Sequence, residues 1–227
     1  MIIRGKRRNW PGVLLSLALI LTSIALPSKE LGAWPVKSYR ELRFDLVAEQ
    51  NSGRSCGPAS LKTLFQHFFG IKLRREKVLK TLLKKKKIDP KSAENVWKEE
   101  KLKVSLLDLK KTSIALGVTA KGYQLKPPSL RGVLEKIESP LLLHFQRPEE
   151  HFLLAVEAWR GKVLLADPSR GLRLSPQEEV NESWDGLVLA FSPGRKRTRE
   201  AGRVAQGAIR SVKKRRETLL LATAGER

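Results

Sequence analysis

Apolar residues recur at helical spacing in the first half of this chain and at strand spacing in the second. Between Cys56 and Phe69, the residues Leu61, Leu64, Phe65 and Phe68 fall three and four apart, and Gly70 ends the run. Arg74 to Lys86 repeats the pattern, with Val78, Leu79, Leu82 and Leu83 inward and lysines outward. Ser105 followed by Asp108 has the form of a capping box, and the helix it opens runs to Leu116 with Gly117 as its stop. Val118 to Leu125 reads as a strand, Pro127-Pro128 as a break, and Ser129 to Ile137 as a short helix. From Pro140 the period changes. Leu141 to Phe145, Phe152 to Trp159, Lys162 to Ala166 and Leu187 to Phe191 read as strands, with Arg160-Gly161 as the tight turn of a hairpin. Ahead of these elements, Arg43 to Val47 reads as a strand or extended arm. Helices first and an antiparallel sheet afterwards predict an α+β domain of two unequal halves with a cleft between them.

Composition adds boundaries to this picture. The chain has 227 residues, of which 41% are hydrophobic, enough for an ordinary core. Residues 1–33 read as a signal peptide or N-terminal anchor: Arg4, Lys6, Arg7 and Arg8 precede the apolar run Val13 to Leu26, which has signal-like length. Residues 34–194 then form the domain, and 195–227 a basic amphipathic helical tail. In the tail, Ala201, Val204, Ala205, Ala208, Ile209 and Val212 share one stripe, small enough to favour packing on the domain or loose surface association over deep membrane insertion. The net charge of +22 is concentrated in this tail and in Lys72 to Lys87. Such fields suit an anionic membrane or cell-wall surface, but a solvated helix face is the favoured reading. No zinc-finger or aromatic RNA-binding motif accompanies the charge, so specific nucleic-acid recognition gains no support.

Cys56 is the only cysteine, which excludes an internal disulfide and a multi-cysteine zinc site. It lies where a loop becomes a helix, so unpaired N–H groups and the helix dipole favour a thiolate there. A lone cysteine at a helix start is more often inert packing. The combination changes that reading: His151 stands at a loop-to-strand boundary as a base, and Asp167 ends the next strand, where it can orient the imidazole. A hairpin about Arg160-Gly161 brings His151 and Asp167 near each other with an offset that a bulge or the strand ends absorb. Gln50 can supply a side-chain N–H to an oxyanion, with the Cys56 N–H as second donor. His144 reads as a core or cleft-wall residue and His67 as surface. No metal or cofactor is implied.

The order Gln50, Cys56, His151, Asp167 is that of papain-like cysteine peptidases. The stretch Gln50 to Leu61, the helix from Leu106 to Gly117, His151-Phe152, Ala166-Asp167-Pro168-Ser169-Arg170-Gly171 and the closing Trp184-Asp185-Gly186 together resemble the bacteriocin-processing, double-glycine leader peptidases over about residues 42–192. The resemblance implies a papain-like fold, a helical half packed on an antiparallel sheet, and carries the family's nucleophile, base, orienting acid and oxyanion glutamine to Cys56, His151, Asp167 and Gln50. With an export signal in front, the chain resembles the free-standing, exported branch. The implied activity is an extracytoplasmic, periplasmic cysteine endopeptidase acting on a secreted protein or leader peptide alongside a secretion system. A cell-wall amidase or acyltransferase with the same triad, and a peptide-binding export factor that does not use its thiol, are the alternatives.

Overall fold

A six-stranded antiparallel sheet in the order β1-β6-β2-β3-β4-β5 forms the middle of the fold, with helices on both faces. The strands are β1 (Val118–Gln124), β2 (Leu141–Phe145), β3 (His151–Trp159), β4 (Lys162–Asp167), β5 (Gly171–Pro176) and β6 (Trp184–Pro193). The computed structural model describes residues 37–51, 55–89, 103–126, 129–137, 139–193 and 203–215, apart from 205 and 213. The expected signal segment 1–33 lies outside the described residues, as do Ala201 and Ala205 of the tail stripe.

The central strands are buried on both faces, which is why their sequences read as unbroken apolar runs rather than alternating ones. One face presents Leu142, Phe152, Leu154, Leu164 and Ala166 to a core shared with Leu61, Leu64, Phe65, Phe68 and Leu109. The other presents Leu141, Leu143, Leu153, Ala155, Val163 and Leu165 to Leu130, Leu134 and Val180. The helices supplying these residues are α2 (Cys56–Thr63), which continues as one π-helical turn (Leu64–Phe68), α4 (Leu106–Ala115), α5 (Ser129–Lys136) and α6 (Gln177–Ser183), and α3 (Arg75–Lys85) adds Val78 to the first core. The capping box expected at Ser105 is present, with Ser105 Oγ accepting from Asp108 N–H and Asp108 accepting from Ser105 N–H. Asp108 also pairs with Lys86 at 2.8 Å, so one lysine of the basic run ties α3 to α4.

Three elements differ from the sequence reading. Residues expected as an extended arm belong in part to a helix, α1 (Tyr39–Phe44), opened by a second capping box between Ser38 and Glu41. The spacing Ser-x-x-Glu is its signal, and the apolar Phe44-x-x-Val47 after it masks the helix as a strand. β5 and α6 were not expected: each has few apolar residues, and each is held by the neighbour it packs on. Finally, His67 lies in the π-helical turn and is half-buried rather than surface, and that burial lowers its pKa.

Beyond the sheet, the helical residues within 203–215 pack on the first core. Val212 is buried there, Ala208 and Ile209 are half-buried against it, and Arg215 pairs with Asp45 after α1.

Candidate active site

Cys56 is the first residue of α2, and its side chain is nearly enclosed, at 4% exposure. A residue there sits among N–H groups that have no partner in their own helix, at the positive end of the dipole. Pro58 fits the first turn because its missing N–H is not needed. The N–H of Phe152, on β3, points at the sulfur, with 3.5 Å between N and Sγ.

His151 opens β3 immediately before that residue. Its Nε2 lies 2.8 Å from Asp167 Oδ1, and the ring also interacts with Cys56. Burial by itself would lower the imidazole pKa. The interactions with Asp167 and with Cys56 outweigh it and raise the pKa to about 9. Asp167 closes β4 and is 2% exposed. Its burial favours the neutral form, but His151, Ser169 and Arg173 together hold its carboxyl well below the usual carboxylate range. Oδ1 accepts from Ser169 N–H at 2.9 Å and from Ser169 Oγ at 2.6 Å, and Oδ2 accepts from Arg173 Nε at 3.1 Å.

A β-bulge decides that His151 and Asp167 share a face. Next to the turn the hairpin pairs Trp159 with Lys162 and Glu157 with Leu164, but beyond Val156 the partners become Ala155 with Leu165 and Leu154 with Ala166. Asp167, two residues beyond Leu165, falls on the face of Ala155 and Leu165, the same side of the sheet as His151. Without the extra residue, Asp167 would oppose Leu154 and point to the other face, because a one-residue slip inverts every side chain. Behind the carboxylate, Gly171 adopts φ +75° and lies so close to Arg43 that a Cβ would sit 2.8 Å from its carbonyl oxygen. Only glycine fits there.

Gln50 is fixed by its own backbone, whose N–H donates to Pro168 O at 3.0 Å, one residue past Asp167. Its Oε1 is buried without a partner among the described residues. Gln50, His151 and Asp167 line one groove of about 380 Å³ together with Arg147, Glu149 and Arg170. Cys56, nearly enclosed, is not among the residues that line it. The structure therefore brings His151 and Asp167 into one hydrogen-bonded pair, places Cys56 in interaction with the imidazole and against the residue next to it, and sets Gln50 at the groove beside the pair.

Ser169 and Arg173 were not singled out from the sequence as parts of the site. An Asp followed two residues later by Ser is a local signal for a side-chain-capped turn. Arg173 has no such signal, since it meets Asp167 only through the pairing of β4 with β5. His144 forms a second imidazole–carboxylate contact, Nδ1 to Asp185 Oδ2 at 2.6 Å, and its ring lies 4.9 Å from that of Phe152. Among the described residues, no three His, Cys, Asp or Glu side chains gather as metal ligands would, and no helix is long and apolar enough to cross a membrane.

These shifts set a pH dependence. The folded-state pKa of His151 lies above its unfolded value, so its stabilising contribution is complete below about pH 6.5 and is lost as pH rises through about 9. Asp167 works in the opposite sense: its contribution is present above its ordinary range near pH 4 and is lost on acidification. Urea unfolding at a series of pH values should show stability declining between pH 6.5 and 9, and His151→Gln should flatten that decline. An unchanged slope in the variant would disprove the assignment.

The sequence profile of the Peptidase C39 family matches residues 45–196. A probable functional amyloid protease, FapD, from Pseudomonas fluorescens is 28% identical over 166 residues, 73% of this chain and 69% of that protein. The protein of the same name from Pseudomonas aeruginosa is 28% identical over 167 residues, again 73% and 69% of the two chains. Among solved structures, the peptidase domain of Streptococcus ComA, a bi-functional ABC transporter involved in quorum sensing, superposes with a TM-score of 0.52 at 17% identity, covering 65% of this chain and 97% of that domain. That likeness establishes the papain-like fold expected from the sequence.

Proposed function

Because this chain belongs to the Peptidase C39 family and is a cysteine peptidase, we propose that Cys56 is its nucleophile, His151 its acid and base, Asp167 the group that orients the imidazole and Gln50 an oxyanion donor. The observation that carries this reading is the 2.8 Å contact of His151 with the buried Asp167, on an imidazole that also interacts with Cys56.

For attack, the Cys56 thiol proton passes to the His151 imidazole. Sγ attacks the carbonyl carbon of a peptide bond, and the oxyanion is held by the Cys56 N–H and the Gln50 side-chain N–H. The His151 proton passes to the leaving amine, and the C–N bond breaks to give a thioester. His151 then takes a proton from water as that water attacks the thioester carbonyl, and the collapse releases the acid and restores the pair.

The substrate in this reading is a polypeptide, taken as an extended segment past Gln50 and His151. The name of the Pseudomonas relatives points to an amyloid-forming protein as one such substrate, and residues 1–33 would export the enzyme to meet a secreted one. The basic run of α3 and the tail would hold it near an anionic surface.

Two measurements test the assignment. Gln50→Ala should lower kcat by about 10²–10³ with KM little changed, since the lost donor acts on the oxyanion rather than on the bound substrate. A rise in KM alone would make Gln50 a binding residue instead. The rate should also fall as pH rises through about 9, where His151 gives up the proton needed by the leaving amine. A rate that stays level through pH 10 would remove His151 from the acid role.

A further inference from the structure

Both main-chain groups of Phe152 are held by α2. Its N–H donates to Cys56 Sγ, and its carbonyl accepts from Ser60 Oγ at 3.1 Å. Cys56 and Ser60 are four residues apart, hence on one face of the helix, and that face lies against the residue next to His151. The pairing of β3 with β4 ends at Leu154–Ala166, short of Phe152, so at this point α2 occupies the strand's main-chain groups. Ser60 is fully buried. A serine inside a helix commonly bonds back to the carbonyl four residues before it. Thr63 does so, donating to Ala59 O at 3.0 Å, whereas the Ser60 hydroxyl leaves its helix and crosses to the strand. Packing tightens the same junction: a Cβ on Gly57 would meet Leu109 at 3.0 Å and the Phe152 ring at 3.4 Å.

We propose that Ser60 is a positioning residue for the peptidase chemistry: its hydroxyl fixes Phe152 so that the Phe152 N–H stays on the Cys56 sulfur and the adjoining His151 ring stays in register with it. The inference rests on Cys56 being the nucleophile. The Phe152 N–H is then a fixed donor to the sulfur, separate from the oxyanion donors, and favours the anionic form whenever no substrate is bound. Without the hydroxyl, the carbonyl of Phe152 is left buried and unpaired, and the strand end can turn to find another partner.

Cys56 is the only cysteine and there are only three histidines, so iodoacetamide labelling and histidine NMR each report on the site without ambiguity and without a substrate. Ser60→Ala, and Ser60→Gly as a second removal of the hydroxyl, should slow alkylation of Cys56 at pH 7 about three- to tenfold, the range of one net hydrogen bond. They should lower kcat by a similar factor at unchanged KM, and move the His151 titration midpoint down from about 9 while that of His67 stays in place. Ser60→Thr, which keeps the hydroxyl, should restore all three. Wild-type alkylation and an unmoved His151 midpoint in folded Ser60→Ala would overturn the proposal, as would equal loss in the alanine and threonine variants. Cleavage retained by Cys56→Ala is a different result: it would overturn the nucleophile assignment, whatever the labelling shows.

Discussion

Cys56→Ala is expected to abolish peptide cleavage while the protein remains folded. The thioester route needs a sulfur, and no second cysteine exists to supply one. Oxyanion donors and binding alone leave only a small residue of catalysis when a nucleophile is removed, so turnover should fall by about 10⁵ or more, below ordinary detection. The structural cost is small. The side chain is one sulfur atom in a packed setting, bounded by the Phe152 N–H and the His151 ring, and losing it costs about 1 kcal/mol by the usual scale for a small buried group. The variant should also show a lower His151 midpoint than the wild type, because one of the bonds that raises it has gone. Cleavage of a polypeptide that the wild type processes, followed by mass spectrometry together with a melting curve, checks both parts. Wild-type cleavage by a folded Cys56→Ala protein would end the nucleophile assignment and leave only the family's fold.

Asp167→Asn should have the second largest effect, and unlike the first it should damage stability as well as rate. The carboxylate receives His151 and both Ser169 donors on one oxygen and Arg173 on the other. An asparagine has a single acceptor oxygen. Whichever way the amide is turned, its NH₂ faces a donor: either the Arg173 guanidinium or the His151–Ser169 group. Arg173 keeps its bond to Ser175 and a distant contact with Glu179 at 3.8 Å, so the stranded charge is partly compensated. A loss of about 3 kcal/mol follows, at the low end for breaking a buried pair. Catalysis should fall by about 10²–10⁴, the range seen when an imidazole loses the carboxylate that sets its tautomer. The alkaline limb of the pH–rate profile should move from about 9 toward the ordinary histidine range, since the amide no longer stabilises an imidazolium. A variant with normal turnover and an unmoved limb would show that the carboxylate contributes structure only.

Much of this site follows from short-range rules. The Ser105–Asp108 cap, the helix from Cys56, the Gly70 and Gly117 stops and the Arg160-Gly161 hairpin all depend on residues within one or two turns of each other, and all lie where the sequence places them. The same locality explains the two unexpected elements β5 and α6. Gly171–Pro176 has only Leu172 and Leu174 as apolar residues, and Gln177–Ser183 buries only Val180, so neither carries enough periodic signal to stand apart from loop. α1 is a different case, since its Ser38–Glu41 cap was readable and was hidden by the apolar residues that follow.

By itself, then, the chain's sequence determined where a thiol, an imidazole and a carboxylate would stand relative to the ends of their own helix and strands. It left open how β3 and β4 would absorb their offset, and that choice governs the chemistry. Only in the folded sheet does the extra residue Val156 shift the register and turn Asp167 toward His151, bring Arg173 beneath the carboxylate, and set Ser60 against a carbonyl 92 positions away. The reason is physical: caps and turns are set by neighbours along the chain, while strand register and cross-element hydrogen bonds are set by which packing buries the most apolar surface on both faces at once, a quantity that exists only when the whole sheet has formed.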